Sequence, residues 1–200
     1  MKIIFLLETI SQPRCIKRVR ALHEEGHECV VYGYDRKKSS VNLFPSSIQL
    51  NILGEMKDGG NYFAKFVQMK RDLSLIVNRF KNEEVIYYGF GFIFSLLLRL
   101  YGRRFIYEIS DILYGYPKFN AIRPLLKYID RLIIRGSLFT VMTSEGFKKY
   151  LAPQSCKVVL QPNKISPQIA QLTRKAQFVD LNDGVRFSFV GRISFFSQKS

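Results

Sequence analysis

Two carboxylates stand close together near the middle of the chain, at the end of an apolar run. Glu108 lies within the predicted strand at residues 105–109, and Asp111 follows that strand by two residues. Carboxylates at the end of a strand can orient sugar hydroxyls or exchange protons in acid/base catalysis. Such groups also cap the next turn or pair with a neighbouring arginine. Glu108 and Asp111 are our candidate catalytic residues.

A second polar group follows the predicted strand at residues 139–143. Ser144 and Glu145 come directly before a predicted helix at residues 146–151. Ligands of open α/β sheets bind at such strand ends, where helix N-termini offer free N–H groups to anions. Simple N-capping by Thr143 or Ser144 is an equally good interpretation. Ser144 and Glu145 are candidate substrate contacts.

One motif matches a zinc-protease pattern, because His23, Glu24 and His27 satisfy H-E-x-x-H. In a zinc site both imidazoles share one helix face. Here Gly26 precedes the second histidine and a β-rich run follows it, so a helix end is the better interpretation.

Four basic residues recur every fourth position in a predicted helix, namely Arg123, Lys127, Arg131 and Arg135. Apolar residues fill the rest of that helix. A basic amphipathic helix can lie on an anionic membrane surface, and it can equally be a helix whose basic side is solvated. The charge of the whole chain favours the membrane, so these four residues are expected to face it.

The overall charge is strongly positive, with 31 Lys and Arg against 16 Asp and Glu in 200 residues, a formal net charge of +15. Such a charge predicts an anionic partner, which can be nucleic acid, acidic lipid or a phosphorylated substrate.

Cys15, Cys29 and Cys156 form neither a disulfide framework nor a metal-binding pair, so we expect no metal and a reducing, cytoplasmic setting. The longest apolar run, residues 85–98, is too short to span a bilayer.

Short apolar runs alternate with segments of helical periodicity, which predicts an α/β fold with a doubly wound, Rossmann-like parallel sheet. The predicted strands are residues 2–7, 27–34, 48–53, 85–88, 105–109, 139–143 and 157–161. The predicted helices at residues 13–25, 62–80 and 92–101 connect them, together with the basic helix.

The pattern weakens after Pro162 and Asn163. We therefore expect an N-terminal domain at residues 1–165 and an interdomain linker at residues 166–185. Residues 186–200 begin with a new strand, and we interpret them as the start of a truncated second domain.

Five segments of the chain share one resemblance. They are residues 13–31, 107–111, 141–145 (Val-Met-Thr-Ser-Glu), 162–163 (Pro-Asn) and 189–192 (Phe-Val-Gly-Arg). Together they resemble the retaining GT-B glycosyltransferases that build bacterial surface polysaccharides. The first two look like that family's first helix and second strand, and its central strand and acceptor-side loop. The other three resemble its V-x-T-S-E strand, its P-N-G hinge and the F-V-G-R that opens its second domain. The resemblance implies the N-terminal half of a GT-B architecture.

In that family the acceptor binds mainly to the first domain and a nucleotide-diphosphate sugar to the second. The resemblance implies that Arg192 contacts the donor diphosphate, and that Ser110 and Asn163 join the substrate contacts. Ser110 stands where many relatives have histidine, and Lys164 where glycine is usual. The paired glutamates of the family's donor site have no counterpart in this chain, so we expect little or no transferase activity from it.

The sequence thus favours a glycosyltransferase that transfers a sugar from a nucleotide-diphosphate donor to a lipid-linked or polysaccharide acceptor in cell-surface polysaccharide biosynthesis. The donor sugar is a substrate, and no cofactor is expected. The expected location is the cytoplasm, with peripheral attachment to the inner membrane face.

Two alternatives stay open. One is a non-enzymatic basic module for anionic membrane or nucleic acid, although no RNP, KH or helix-turn-helix pattern occurs. The other is a GT-B-like nucleotide-sugar epimerase.

Overall fold

A computed structural model of the chain describes residues 1–36, 44–56, 62–109, 111–147 and 158–162. Residues Met1–Asn163 form one compact unit. Its strands are β1 (Lys2–Leu7), β2 (Glu28–Asp35), β3 (Gln49–Glu55), β4 (Val85–Phe90), β5 (Phe105–Glu108), β6 (Thr140–Met142) and β7 (Val158–Leu160). Its helices are α1 (Pro13–Glu24), α2 (Tyr62–Arg79), α3 (Phe92–Leu100) and α4 (Arg123–Gly136), and two 3-10 segments, Leu113–Gly115 and Pro117–Ile122, precede α4.

The seven strands form one sheet in the order β3-β2-β1-β4-β5-β6-β7, and every neighbouring pair is parallel. The chain winds outward in one direction from β1 to β3, and in the other direction from β4 to β7. The predicted doubly wound, Rossmann-like sheet is therefore confirmed. Its strand order reverses between β1 and β4, and ligands of open α/β sheets bind at the carboxyl ends of strands beside such a reversal.

Helices cover the sheet unequally on its two faces. One core cluster packs residues of α2, α3 and α4 against the sheet, including Leu73, Phe94 and Ile133. The second cluster packs α1, through Cys15, Ile16 and Val19, against the opposite face. Right-handed crossovers require this division, because β1-α1-β2 and β4-α3-β5 move in opposite directions across the sheet. Strands buried on both faces read as continuous apolar runs, as β1 does after Lys2.

The structure ends α1 at Glu24, and Gly26 adopts a φ of 84°, in the left-handed region. The N–H groups of Glu25 and Gly26 donate to the carbonyls of Ala21 and His23, which closes the helix. The His23 ring instead makes a 2.8 Å hydrogen bond to Ser47 Oγ. Within the described part of the chain no cluster of His, Cys, Asp or Glu could hold a metal ion. The predicted helix end at Gly26 is confirmed.

β4 differs from its predicted boundaries, because it extends to Phe90 instead of ending at residue 88. Gly89 continues the strand because α3 packs directly against it. A Cβ atom at this position would lie 2.6 Å from Ser95 Oγ. The glycine therefore marks a close approach of strand and helix and does not end the strand.

Several predicted segments lie outside the described residues. They are most of the helix at residues 146–151, the linker at residues 166–185 and the strand within residues 186–200. These stay predictions. Among the described residues, no helix is both long enough and apolar enough to cross a membrane.

Candidate functional site

The site lies at the carboxyl edge of the sheet, where β1, β4 and β5 end side by side. The connection from β1 to α1 crosses this edge, and its Ile10 N–H donates to the Tyr34 carbonyl at the end of β2. Gly33 permits this contact, because a Cβ atom there would lie 2.7 Å from the Ile10 side chain. The fixed connection ends at Pro13, which starts α1 at a position where its missing N–H costs nothing.

Glu108 is fully buried at this edge and is surrounded by donors. Its Oε2 atom accepts hydrogen bonds from the Tyr88 hydroxyl at 2.6 Å and from Arg18 Nε at 3.1 Å. Its Oε1 atom lies 3.5 Å from Arg14 Nε. Arg14 and Arg18 stand four residues apart in α1, so both guanidinium groups point from the same helix face toward one carboxylate. The site is thus built by α1, β4 and β5.

The charges of Arg14, Arg18 and Glu108 do not balance, because two guanidinium groups face one carboxylate. Burying a carboxylate is strongly unfavourable unless it is paired and hydrogen-bonded, and Glu108 meets both conditions. The second guanidinium leaves a positive charge in excess. The Arg14 side chain is 14% exposed and that of Arg18 is 18% exposed, so solvent screens this excess only in part. The arrangement favours an anionic ligand.

The Arg14 contact is geometrically the weaker of the two. Arg14 Nε and Glu108 Oε1 are close enough for an ion pair, yet neither atom makes a well-directed hydrogen bond to any described residue. Arg18 is fixed more firmly. Burial alone would lower its pKa, but the neighbouring Tyr88 and Glu108 raise the pKa above its ordinary value. Arg14 is therefore the less firmly held of the two guanidinium groups.

Two further groups beside Glu108 are held in their neutral forms. Burial, reinforced by the Glu108 charge, raises the pKa of Tyr88 well above its ordinary value. The same two causes raise the pKa of the Cys15 thiol. Tyr88 is consequently a hydrogen-bond donor to Glu108, and Cys15 is a core residue without thiolate character.

The two candidate catalytic carboxylates occupy different environments. Glu108 is buried against α1, whereas Asp111 is exposed to solvent. A third carboxylate, Glu8, directly follows β1 and is not among the predicted site residues. Burial raises the pKa of Glu8, Arg36 opposes that rise, and Asp111 adds to it. Its signal in the sequence is a single charged residue directly after a strand that is apolar from Ile3 to Leu7.

The other predicted substrate contacts are only partly described. Ser144 Oγ accepts a hydrogen bond from the Gly146 N–H at 3.2 Å, so its hydroxyl caps the turn that follows β6. Glu145 beside it is exposed. Ser110, Asn163 and Arg192 lie outside the described residues, and their roles stay predictions.

The basic helix α4 presents three of its four predicted membrane-facing residues to solvent, Arg123, Arg131 and Arg135. Lys127 is half-buried because it lies nearer the face that packs on the sheet. On that inner face Asp130 accepts hydrogen bonds from the hydroxyls of Tyr107 at 2.8 Å and Tyr114 at 3.4 Å. Burial raises the pKa of Asp130 to about 6, although both hydrogen bonds oppose the rise.

Comparison with known proteins gives structural matches only. No protein-family model matches the chain, and no curated protein matches it in sequence. A sucrose-phosphate synthase chain from Thermosynechococcus elongatus superposes with a TM-score of 0.59 at 11% identity, covering 88% of this chain and 98% of that chain.

Two longer proteins match over part of their length. The UDP-GlcNAc 2-epimerase of Neisseria meningitidis, solved with UDP-GlcNAc bound, has a TM-score of 0.54 at 16% identity over 80% of this chain and 46% of its own. The apo UGT2 of Phytolacca americana has a TM-score of 0.51 at 11% identity over 94% of this chain and 59% of its own. The chain thus spans about half the length of these two proteins. It has the α/β fold shared by GT-B glycosyltransferases and UDP-GlcNAc 2-epimerases, and it fits the N-terminal half of that architecture.

Proposed function

We propose that this chain is the acceptor-binding half of a glycosyltransferase, which transfers a sugar from a nucleotide-diphosphate donor to a lipid-linked or saccharide acceptor of a cell-surface polysaccharide. The observation that carries the proposal is the excess positive charge of Arg14 and Arg18 over Glu108, beside the reversal of strand order. A lipid-linked acceptor carries its sugar on a phosphate or pyrophosphate group. Two guanidinium groups at this edge suit such a group.

The two carboxylates then have different tasks. Glu108 is a positioning residue, since its buried carboxylate holds both arginines and the Tyr88 hydroxyl. Asp111 is exposed at the same edge and is free to meet an acceptor hydroxyl from solvent. We assign to Asp111 the orientation of that hydroxyl, and its carboxylate contributes to the raised pKa of the buried Glu8.

Acceptor binding tests the proposal directly. Calorimetric titration with a short-chain polyprenyl pyrophosphate should show binding that weakens about tenfold or more in Arg14→Gln, because charge-assisted hydrogen bonds contribute roughly 1.5–3 kcal/mol. Arg20→Gln is the matched control, as Arg20 is an exposed residue of the same helix. Equal binding by both variants, or no binding by the unaltered protein, would contradict the proposal.

The sugar-transfer part needs a separate assay. The protein is incubated with radiolabelled nucleotide-diphosphate sugars and a bacterial lipid extract, together with a donor-binding domain supplied as a second chain. Label in the organic phase is the expected result. Label released only as free sugar would argue against transfer to a lipid.

A nucleotide-sugar epimerase is the second candidate, favoured by the likeness to the N. meningitidis epimerase. The same preparation, incubated with UDP-GlcNAc and followed by proton NMR, distinguishes the two. Appearance of an epimerised sugar without any acceptor would favour this candidate over transfer.

A further inference from the structure

We propose that the outer surface of α2, α3 and α4 is a docking surface for an anionic lipid bilayer. The inference rests on the proposed function for the choice of a membrane as partner. It extends well beyond the basic residues of α4, because all three helices contribute both cations and exposed apolar side chains. Since α2 packs on α3 and α3 on α4, these helices form one continuous layer over the sheet.

The first observation is the charge of this helix layer. The three helices contain nine basic residues and only two acidic ones, Asp72 and Asp130. Both carboxylates are buried, with 6% and 3% exposure. Asp72 accepts a hydrogen bond from the Tyr34 hydroxyl at 2.8 Å, and Asp130 accepts from Tyr107 and Tyr114. The solvent-facing side of these three described helices therefore carries cations and no carboxylate.

The second observation is the apolar surface between those cations. Leu75 of α2 is 66% exposed, Leu100 of α3 is 69% exposed, and Leu125 and Tyr128 of α4 are 56% and 59% exposed. Phe63 and Val67 of α2 are exposed as well. Amphipathic helices that lie in a membrane interface combine such apolar and aromatic side chains with arginine and lysine. Basic side chains then reach the headgroups while the apolar ones enter the acyl boundary.

The described part of the opposite face, which is formed by α1, lacks this combination. Among the described residues, α1 contributes no large exposed hydrophobic side chain. It exposes Glu24 together with Lys17 and Arg20, and Glu25 follows it directly. This mixed-charge surface is that of an ordinary solvated helix. The contrast restricts the docking surface to one side of the sheet.

The direction of the helices places the exposed apolar side chains relative to the edges of the sheet. Helices that connect parallel strands run against the strands, so each begins at the carboxyl edge of the sheet. Phe63 lies in the first turn of α2, and Leu125 and Tyr128 lie in the first two turns of α4. Phe63, Leu125 and Tyr128 thus lie near the carboxyl edge, whereas Leu75 and Leu100 lie toward the other ends of α2 and α3. Arg14 and Arg18 belong to α1, on the opposite face of the sheet.

A nucleic acid is the less suitable partner for this surface. Its phosphates would pair with the basic side chains, but a hydrated phosphate backbone would then cover the apolar side chains of Leu75, Leu100 and Leu125. Single-stranded nucleic acid binds through aromatic side chains on which bases stack, and aliphatic residues offer no such platform. The apolar part of the surface accordingly favours lipid.

The absence of tryptophan from the sequence allows a direct test. Single tryptophans are placed on the proposed surface by Leu75→Trp, Leu100→Trp and Tyr128→Trp, and on the opposite face by Ala21→Trp. We expect vesicles containing phosphatidylglycerol to shift the emission of the first three to the blue, and brominated phosphatidylglycerol to quench it. Ala21→Trp should show neither effect. Equal quenching at all four positions, or none at any, would overturn the proposal.

Charge-neutral variants test the electrostatic part by vesicle flotation. Arg131→Gln with Arg135→Gln should weaken binding to anionic vesicles about 30-fold, since each basic residue near an anionic surface contributes roughly 1 kcal/mol. Lys17→Gln with Arg20→Gln on α1 changes the net charge equally and should have much less effect. All four positions are exposed, and circular dichroism checks that each variant is folded.

Two other results would also overturn the proposal. A concentration-dependent emission shift without vesicles would identify a second copy of the chain as the occupant. A shift produced equally by duplex DNA would identify nucleic acid. Loss of sugar transfer with intact vesicle binding contradicts only the proposed function, whereas pyrophosphate binding without vesicle binding contradicts only the docking surface.

Discussion

At the scale of single residues, buried charge is the main feature of this protein. Glu108, Asp72 and Asp130 are each buried, and each accepts a hydrogen bond from a tyrosine hydroxyl. Arginines additionally pair with Glu108 and Asp72. Tyrosine is a suitable donor in these positions because burial keeps its hydroxyl neutral, as the raised pKa values of Tyr34, Tyr88 and Tyr107 indicate. Removal of one partner leaves the others desolvated and unpaired.

Replacement of Glu108 by Ala should therefore be strongly destabilising. It leaves Arg14 and Arg18 without their carboxylate in a largely buried site, and breaking a buried pair in this way costs about 3–5 kcal/mol. Urea unfolding measures the loss. Glu83→Ala is the control, because its ion pair with Lys2 is more exposed and should contribute at most about 1 kcal/mol. Similar losses in both variants would show that the Glu108 cluster is not a structural unit.

Asp130 should make stability depend on pH. Its folded pKa of about 6 lies above the ordinary value, so the protein binds this proton more tightly when folded. The resulting stabilisation is complete below the unfolded pKa near 4 and is lost as the pH rises through about 6. Relative to Asp130→Asn, the unaltered protein should gain about 2–3 kcal/mol between pH 7 and pH 4. Urea unfolding of both proteins across this range is the measurement, and parallel pH profiles would contradict the assignment.

At the scale of elements, close contacts between strands and helices determine where each element ends. β4 runs through Gly89 because Ser95 of α3 packs on it, and Ser95 Oγ donates to the Gly89 carbonyl at 3.3 Å. α1 ends where Gly26 takes a left-handed conformation. A glycine can mark a close contact within a strand, as Gly89 does, or the end of a helix, as Gly26 does. Only the packing distinguishes these two roles.

Gly89→Ala tests this packing. The added Cβ would lie 2.6 Å from Ser95 Oγ and 3.3 Å from the Ser95 backbone nitrogen, so overpacking should cost about 1–3 kcal/mol. Adding Ser95→Ala removes the nearest atom and should recover part of that loss. The double-mutant cycle from thermal unfolding gives the coupling. Purely additive effects would mean that strand and helix adjust independently.

At the scale of the whole molecule, the formal net charge of +15 acts against compaction. Like charges repel across the surface, and added salt screens that repulsion at distances beyond about 10 Å. Thermal stability should therefore rise as sodium chloride increases from low concentration to about 0.15 M. Arg131→Gln with Arg135→Gln should make the rise smaller, whereas a falling melting temperature would show that exposed ion pairs outweigh the repulsion.

The sequence by itself determined the fold class and nearly every element. Continuous apolar runs identify strands that are buried on both faces, and helical periodicity between them requires crossovers and a parallel sheet. It also placed Glu108 and Asp111 at a strand end and the basic residues on α4. The end of β4 depends on packing as well, because the sequence alone does not show that α3 packs directly against Gly89.

Only the tertiary structure decided what these residues contact. Arg14 and Arg18 precede Glu108 by about ninety positions, and no local pattern links them, so their ion pairs depend on where α1 crosses the sheet. Similarly, Asp72 and Asp130 look like ordinary helix-surface acids in the sequence, and packing turns both inward. The carboxylate-free surface of α2, α3 and α4 exists only because the fold buries those two side chains while it leaves the neighbouring cations in solvent.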